Sequence, residues 1–139
     1  MDRRDGTVRD NLTGLTWLKN AGCFGQFRTW PQALTNANTL ASPNCGLADG
    51  SHPGDWRLPN IHELLSLIDY SQADPALPAG HPSTNVIFQS GSSIIYWTST
   101  IQAATTLFAA QPWTVNLSDG RTFGFGLNNF PGAVWPVRD

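Results

Sequence analysis

Residues 54–63 constrain the fold of this chain more than any other segment. They read GDWRLPNIHE, so Asn60 and Glu63 have the spacing of a capping box. In a capping box each of the two side chains accepts a hydrogen bond from the other residue's backbone N–H, which fixes the first turn of a helix. Apolar residues then recur at helical spacing. We therefore predict a helix over residues 61–69 whose apolar side packs on a core.

The large side chains around this helix are interpreted as core residues. Indoles in β segments usually fill a core, and their N–H groups find local acceptors. We therefore place Trp56 and Leu58 in the core, with Arg57 bonded to a nearby carboxylate or to backbone carbonyls. The same interpretation applies to three more tryptophans, Trp17, Trp97 and Trp135. These residues are poor candidates for a sugar-stacking surface.

The first third of the chain predicts a hairpin and a further helix. Residues 7–10 and 15–18 are short β-prone runs on either side of a turn that contains asparagine and glycine. Thr29 can cap a helix over residues 30–41, which has a proline in its first turn and ends before Pro43.

The two cysteines, Cys23 and Cys45, lie before and after this helix. They are too few for a structural zinc site and belong to no CxxC motif, so a disulfide or two free thiols remain. A composition with one lysine and six tryptophans favours an extracytoplasmic chain. We predict a disulfide that clamps the two ends of the helix and stabilises the fold by roughly 3 kcal/mol. The expected location is extracellular, at the cell surface or periplasmic.

The later part of the chain is β-like after a long irregular segment. Residues 71–93 are rich in proline, serine and glycine and predict a surface loop, with Val86, Ile87 and Phe88 as its tethers to the core. We predict strands over residues 94–100, 108–117, 122–125 and 133–137. The expected fold class is α+β, with two early helices packed on one twisted antiparallel sheet that the terminal strands close.

One predicted strand leaves two alternatives open. Apolar and polar residues alternate over residues 113–118, which is the period of a half-buried strand. Asp119 and Gly120 then predict a hairpin turn. Across a two-residue turn, however, Phe123 would lie on the same face as Asn116. Either both faces of the strand are partly covered, or the turn is longer than two residues.

Charge and hydropathy exclude two classes of partner. The net charge is −2 and Lys19 is the single lysine among eight basic residues, so no broad positive field attracts nucleic acid. Arg3, Arg4 and Arg9 are interpreted as a solvated surface. No apolar run is long enough to insert into a membrane. Met1 is followed by DRRD and not by an apolar stretch, so we expect any export signal to have been removed.

Four residues have the chemistry of metal ligands: Asp49, His52, Asp55 and His81. Neither the several hard oxygens that calcium prefers nor the three or four converging donors of zinc occur at a tight spacing. We expect no cofactor and no metal, with calcium near residues 49–55 as the alternative.

Catalytic groups are equally sparse. Ser99 and Ser118 lack a GxSxG setting, the only glutamate is assigned to the capping box, and no paired carboxylates stand out. His62, beside that glutamate, is expected at the helix surface. The sequence therefore predicts a protein that is not an enzyme.

Several phrases together resemble one known family. The chain is similar to the C-terminal domain family of the Lcl collagen-like adhesins over nearly its whole length. The phrases that carry the resemblance occur in this order: Gly6-Thr7-Val8-Arg9-Asp10 with Thr13-Gly14-Leu15-Thr16-Trp17, Thr29-Trp30, Gly54-Asp55-Trp56-Arg57-Leu58-Pro59-Asn60 with Glu63-Leu64, Tyr96-Trp97-Thr98-Ser99-Thr100, Trp113-Thr114-Val115, and Val134-Trp135-Pro136-Val137-Arg138.

The resemblance implies a fold and a role. The fold would be C-type-lectin-like, as in the formylglycine-generating enzymes, although the cysteines here fall too early in the chain for their chemistry. The role would be attachment, because the family's namesake binds sulfated polysaccharides as a trimer at a bacterial surface. Some relatives are diversified by retroelements. This chain departs from the namesake in its scarcity of lysine and arginine, so an uncharged glycan or a protein is as suitable a ligand.

We expect the ligand to contact the loops that follow Trp97, within residues 102–111 and 124–132, since loops held on a rigid sheet are common recognition sites. The candidate ligand-binding residues are Thr105, Thr106, Phe108, Trp113, Arg121, Asn128, Asn129 and Phe130. The alternative is that these residues form ordinary connections.

The leading hypothesis is a non-catalytic adhesin-type module that recognises a glycan or a protein. Three alternatives remain: a variable protein with a hypervariable binding face, an enzyme on a formylglycine-generating-like frame, and a homotrimeric end-cap of a fibrous stalk.

Overall fold

The computed structural model describes residues 1–89, 94–107, 109–124 and 131–139. These described residues contain two α-helices, six short strands and a 3-10 turn at Asn44–Gly46. In chain order the strands and helices are β1 (Thr7–Arg9), β2 (Thr16–Leu18), α1 (Trp30–Thr39), α2 (Ile61–Leu65), β3 (Tyr96–Gln102), β4 (Gln111–Val115), β5 (Thr122–Gly124) and β6 (Val137–Arg138). The α+β class is confirmed. In the described part of the chain, no helix is long and apolar enough to cross a bilayer.

The strands form two small antiparallel sheets, so the prediction of a single sheet is wrong. One sheet has the order β1-β2-β6 and the other the order β3-β4-β5. The segment before β6 explains the difference, because Ala133 forms a parallel bridge with Tyr96 of β3 whereas Val137 pairs with Trp17 of β2. This segment crosses from one sheet to the other, and the strand predicted over residues 133–137 is therefore reduced to β6.

Both helices begin where the capping signals place them and end earlier than predicted. Thr29 and Asn60 form complete capping boxes with the glutamine and glutamate three residues later. α1 ends at Thr39, because Leu40 is buried in an extended conformation. α2 ends at Leu65, and beyond it the chain turns so that the Asp69 N–H reaches the Ala76 carbonyl (2.9 Å). Tertiary contacts thus shorten both helices.

The disulfide between Cys23 and Cys45 is confirmed, with a Cα–Cα distance of 5.7 Å. It joins the loop before α1 to the 3-10 turn after it. The hairpin of β1 and β2 is also confirmed, with Val8 opposite Trp17. These two features fix the first third of the chain.

Four tryptophans fill the core, as predicted: Trp17, Trp56, Trp97 and Trp135. Trp135 lies with its ring centroid 5.6 Å from Trp17 and 5.6 Å from Tyr96. Its Nε1 donates to the Leu18 carbonyl (2.8 Å), and Trp97 Nε1 donates to the Arg28 carbonyl (2.7 Å). Burial raises the pKa of Tyr96, whose hydroxyl donates to the Ala21 carbonyl (2.8 Å). The aromatic side chains therefore tie both sheets to the early loops.

The long segment after α2 is more deeply buried than the predicted surface loop. The described residues 71–89 contain neither helix nor strand, but Ala76 and Leu77 are buried. Val86 and Ile87 pack against the core as expected, whereas Phe88 is 37% exposed and does not act as a tether.

The predicted alternation along the fourth strand is wrong, because polar and apolar residues are both buried from Thr114 to Ser118. Burial of the polar side chains is compensated by hydrogen bonds: the Thr114 hydroxyl donates to the Phe123 carbonyl (2.9 Å), and Asn116 Oδ1 accepts the Ser118 N–H (2.8 Å). β4 ends at Val115, which pairs with Thr122. Both open alternatives therefore hold, since both faces are at least partly covered and the turn spans residues 116–121.

Arg57 binds carboxylates, as predicted. Its guanidinium contacts both Glu63 oxygens (2.6 and 2.8 Å) and one Asp139 oxygen (2.9 Å). The guanidinium holds the pKa of Glu63 below its ordinary value of 4.5. Because the pKa of Glu63 is lower in the folded state, the Arg57–Glu63 pair stabilises the fold fully above pH 4.5. This stabilisation is lost as the pH falls through the pKa that Glu63 has in the folded protein.

We therefore expect Glu63→Gln to lower the free energy of unfolding by about 1 kcal/mol at pH 7, because glutamine keeps the cap but not the charge. Near pH 3 the difference from the wild type is expected to shrink. Urea unfolding at the two pH values measures it, with exposed His62→Gln as the control that changes little. An equal difference at both pH values would contradict the assignment.

Candidate functional site

The four residues with metal-ligand chemistry do not form one site. The two aspartates have other hydrogen-bond partners, and His81 lies in a different segment. Asp49 forms an ion pair with Arg138 (3.0 Å) and accepts a hydrogen bond from the Ser51 hydroxyl (2.7 Å). Asp55 accepts the His52 N–H (2.7 Å), and His81 lies in the segment that faces the β1–β2 hairpin. Among the described residues, no group of three or more histidine, cysteine or acidic side chains is arranged to hold a metal.

The two serines considered as nucleophiles also have structural partners. The Ser99 hydroxyl donates to the Pro59 carbonyl (3.3 Å), and the Ser118 hydroxyl donates to Asp74 (2.5 Å). Neither hydrogen bond involves a histidine that would act as a base.

One face at the outer end of the second sheet combines an aromatic ring with amide groups. Gln102 pairs with Gln111, and Trp113 pairs with Gly124. Directly opposed residues share a face, as do Gln111 and Trp113, which are two positions apart on β4. We call these four residues the Trp113 face: Gln102, Gln111, Trp113 and Gly124. Gln102 is exposed and the other three are partly exposed.

The glutamine side chains converge on Gly124. A Cβ atom built on Gly124 would lie 2.5 Å from Gln102 Oε1 and 3.1 Å from Gln111 Oε1. The absence of a side chain at this position therefore leaves room for both amides. Trp113 is partly buried and packs against the core, which fixes the orientation of its ring. Within the described part of the chain, we find no hydrogen bond from its Nε1.

The opposite face of the same sheet end is apolar. Ile101 pairs with Pro112 and Thr114 pairs with Phe123, which places Ile101, Pro112 and Phe123 on one face. Ile101 is 47% exposed and Phe123 is 38% exposed. The two faces of this sheet end therefore differ in chemistry.

The comparison with known families decides the family of this chain. A family model described as the Lcl C-terminal domain matches residues 6–138. The chain belongs to this family. The resemblance inferred from the ordered motifs is thus confirmed, and the Lcl C-terminal domain is associated with collagen-like surface proteins as a non-catalytic module. No curated protein and no solved structure matches the chain, so the C-type-lectin-like fold stays a prediction.

Four of the eight predicted ligand-binding residues of this Lcl C-terminal domain are among the described residues. Thr105 and Thr106 are exposed in the connection between β3 and β4, and Trp113 belongs to the Trp113 face. Arg121 is exposed in the turn before β5 and forms an ion pair with Asp119 (3.1 Å). The other four, Phe108, Asn128, Asn129 and Phe130, lie outside the described residues.

Sequence reasoning missed Gln102, Gln111 and Gly124 as neighbours of Trp113. The only signal that brings them together is the strand register, which depends on the irregularity in β3 between Trp97 and Ile101. A local sequence pattern does not specify such an irregularity, because it is set by contacts with neighbouring strands.

A cavity of about 370 Å³ lies elsewhere in the Lcl C-terminal domain, between the β1–β2 hairpin and residues 77–83. Its lining includes Arg9, Trp17, Leu77 and Trp135. The two tryptophans are almost completely buried, so they offer little surface to a ligand. The cavity shares no residue with the Trp113 face and is a competing location for a ligand.

Proposed function

We propose that this Lcl C-terminal domain is a non-catalytic, adhesin-type binding module on a C-type-lectin-like frame. It recognises a glycan or a protein outside the cell through the Trp113 face and the loops beside it. The observation that carries the proposal is the half-buried Trp113, presented next to Gly124 and two amide side chains at the outer end of a sheet.

The contrast between scaffold and surface supports this role. The buried tryptophans, the capped helices and the Cys23–Cys45 disulfide hold the frame rigidly. Thr105 and Thr106, by contrast, are exposed in a connection without regular structure. A rigid frame that carries exposed loops is a common arrangement of recognition domains, because the binding surface is positioned before the ligand arrives. A disulfide is also typical of proteins outside the reducing cytoplasm.

Binding to immobilised glycans, matrix proteins and cell surfaces tests the proposal. We expect the domain to bind at least one of these surfaces and Trp113→Ala to weaken binding roughly tenfold, since an aromatic anchor at an interface commonly contributes more than about 1 kcal/mol. Phe123→Ala, on the opposite face, is the matched control and is expected to bind like the wild type. Thermal unfolding of both variants verifies that they are folded.

Two results would count against the proposal: no binding to any class of surface, or binding that Trp113→Ala leaves unchanged.

Assembly as a homotrimer belongs to the same proposal, and sedimentation equilibrium measures the oligomeric state.

A further inference from the structure

We infer that the ligand of the Trp113 face is an uncharged glycan, contacted by the Trp113 ring and by the amides of Gln102 and Gln111. This inference rests on the proposed function and narrows it to one class of ligand. Three properties of the described residues carry it: the charge around the face, the partly exposed Trp113 ring and the converging amides.

The charge near the face disfavours a polyanionic ligand. The four residues of the Trp113 face are all uncharged. Arg121, the cation of the adjacent turn, is already paired with Asp119. Three other cations of the chain also have carboxylate partners, namely Lys19, Arg57 and Arg138. Binding of a polyanion depends on several basic side chains that replace its counterions, and the described part of this surface does not supply them.

The cross-strand neighbour of Trp113 is Gly124, and the space that a side chain there would fill is occupied by the amides of Gln102 and Gln111. Any larger residue at that position would project from the same face and cover part of the indole. A pyranose has faces formed by C–H groups, which pack on an indole as other apolar groups do. Because Trp113 is anchored in the core, such a contact orders no additional side chain and therefore costs little conformational entropy.

The amides match the hydroxyl groups of a sugar. Each glutamine side chain offers two N–H donors and one carbonyl acceptor, and a hydroxyl group both donates and accepts. The Oε1 atoms of Gln102 and Gln111 converge within 2.5 and 3.1 Å of the position that a Gly124 side chain would occupy. A sugar ring packed on the Trp113 indole would therefore lie within reach of both amides.

A protein ligand suits the other face better. The centres of protein interfaces are depleted in charge and enriched in large apolar side chains. Ile101 and Phe123 provide such side chains, whereas the Trp113 face has only Trp113. The effects of substitutions on the two faces therefore separate the two classes of ligand.

The test compares neutral and anionic glycans on one array, with neutral mono- and oligosaccharides beside sulfated and uronic-acid-containing ones. We expect binding to neutral glycans that changes less than about twofold between about 0.05 and about 0.5 M NaCl, because screening weakens only charged contacts. Gln102→Ala is expected to bind roughly fivefold more weakly. Gly124→Ala should weaken binding as well, because its Cβ displaces the Gln102 amide, while its φ lies outside the left-handed region and accepts alanine.

Phe123→Ala, on the other face, and Ala79→Trp, which fills the separate cavity, are the controls and should bind like the wild type. Binding to anionic glycans alone, with loss at high salt, would overturn the inference but not the proposed function. A protein ligand whose binding is lost in Phe123→Ala and unchanged in Trp113→Ala would place the site on the opposite face and overturn both. Neutral glycan binding lost only in Ala79→Trp would move the site to the cavity and overturn both. Absence of all binding would reject the proposed function itself.

Discussion

Replacement of Trp135 by alanine is expected to lower the free energy of unfolding by about 3–5 kcal/mol, the range for truncating a large buried side chain. The indole packs against both Trp17 and Tyr96, and its Nε1 donates to the Leu18 carbonyl (2.8 Å). Alanine would remove both ring contacts, leave a cavity where the two sheets meet, and deprive a buried carbonyl of its donor. Equilibrium unfolding in urea measures the loss.

A domain of this size has a total stability of only about 5–15 kcal/mol, so the alanine variant can fail to fold. Trp135→Phe keeps an aromatic ring and removes the donor, and we expect it to cost about 1–3 kcal/mol. Phe123→Ala truncates an aromatic residue that is 38% exposed and should cost clearly less than Trp135→Ala. A loss below about 1 kcal/mol for Trp135→Ala would show that this ring does not join the two sheets.

Removal of the disulfide is expected to lower the free energy of unfolding by roughly 3 kcal/mol. The bond joins residues 22 positions apart and links the loop before α1 to the 3-10 turn after it. Without it the unfolded chain gains conformational freedom that the folded chain does not, so the equilibrium shifts toward unfolding. The double variant Cys23→Ser with Cys45→Ser, compared with the wild type in urea, measures the change.

Reductant provides the control for this experiment, because it should destabilise the wild type and leave the double variant unchanged. Alkylation that adds mass to the wild type without reductant would contradict the presence of the bond. An unchanged unfolding midpoint in the double variant would contradict its contribution to stability.

Local signals in the sequence predicted the starts of the elements better than their ends or pairings. The caps at Thr29 and Asn60 were predictable, since each depends on residues within one turn. The helix ends were not predictable, because burial of Leu40 and the Asp69–Ala76 hydrogen bond depend on distant parts of the chain. The division into two sheets depends in the same way on contacts of Ala133 and Val137 with different partners.

The candidate site was predictable only in part, for a related reason. Composition and motif order pointed to the later loops and to Trp113. The neighbours of Trp113 follow from the pairing of β3, β4 and β5, and the irregularity in β3 shifts Gln102 opposite Gln111. A sequence pattern read along one strand does not contain that shift, since register is a property of two strands.

The pairing of β2 with β6 also has a consequence for how the domain folds. Trp17 lies opposite Val137, and the Trp135 Nε1 reaches the Leu18 carbonyl across 117 residues. The central part of the core is therefore completed by segments from the two extremes of the domain. A nascent chain on the ribosome can form the first hairpin early, but it cannot enclose its aromatic centre until residues 135–138 have been synthesised. Domains with such distant pairings fold slowly, because a large loop must close before its contacts form.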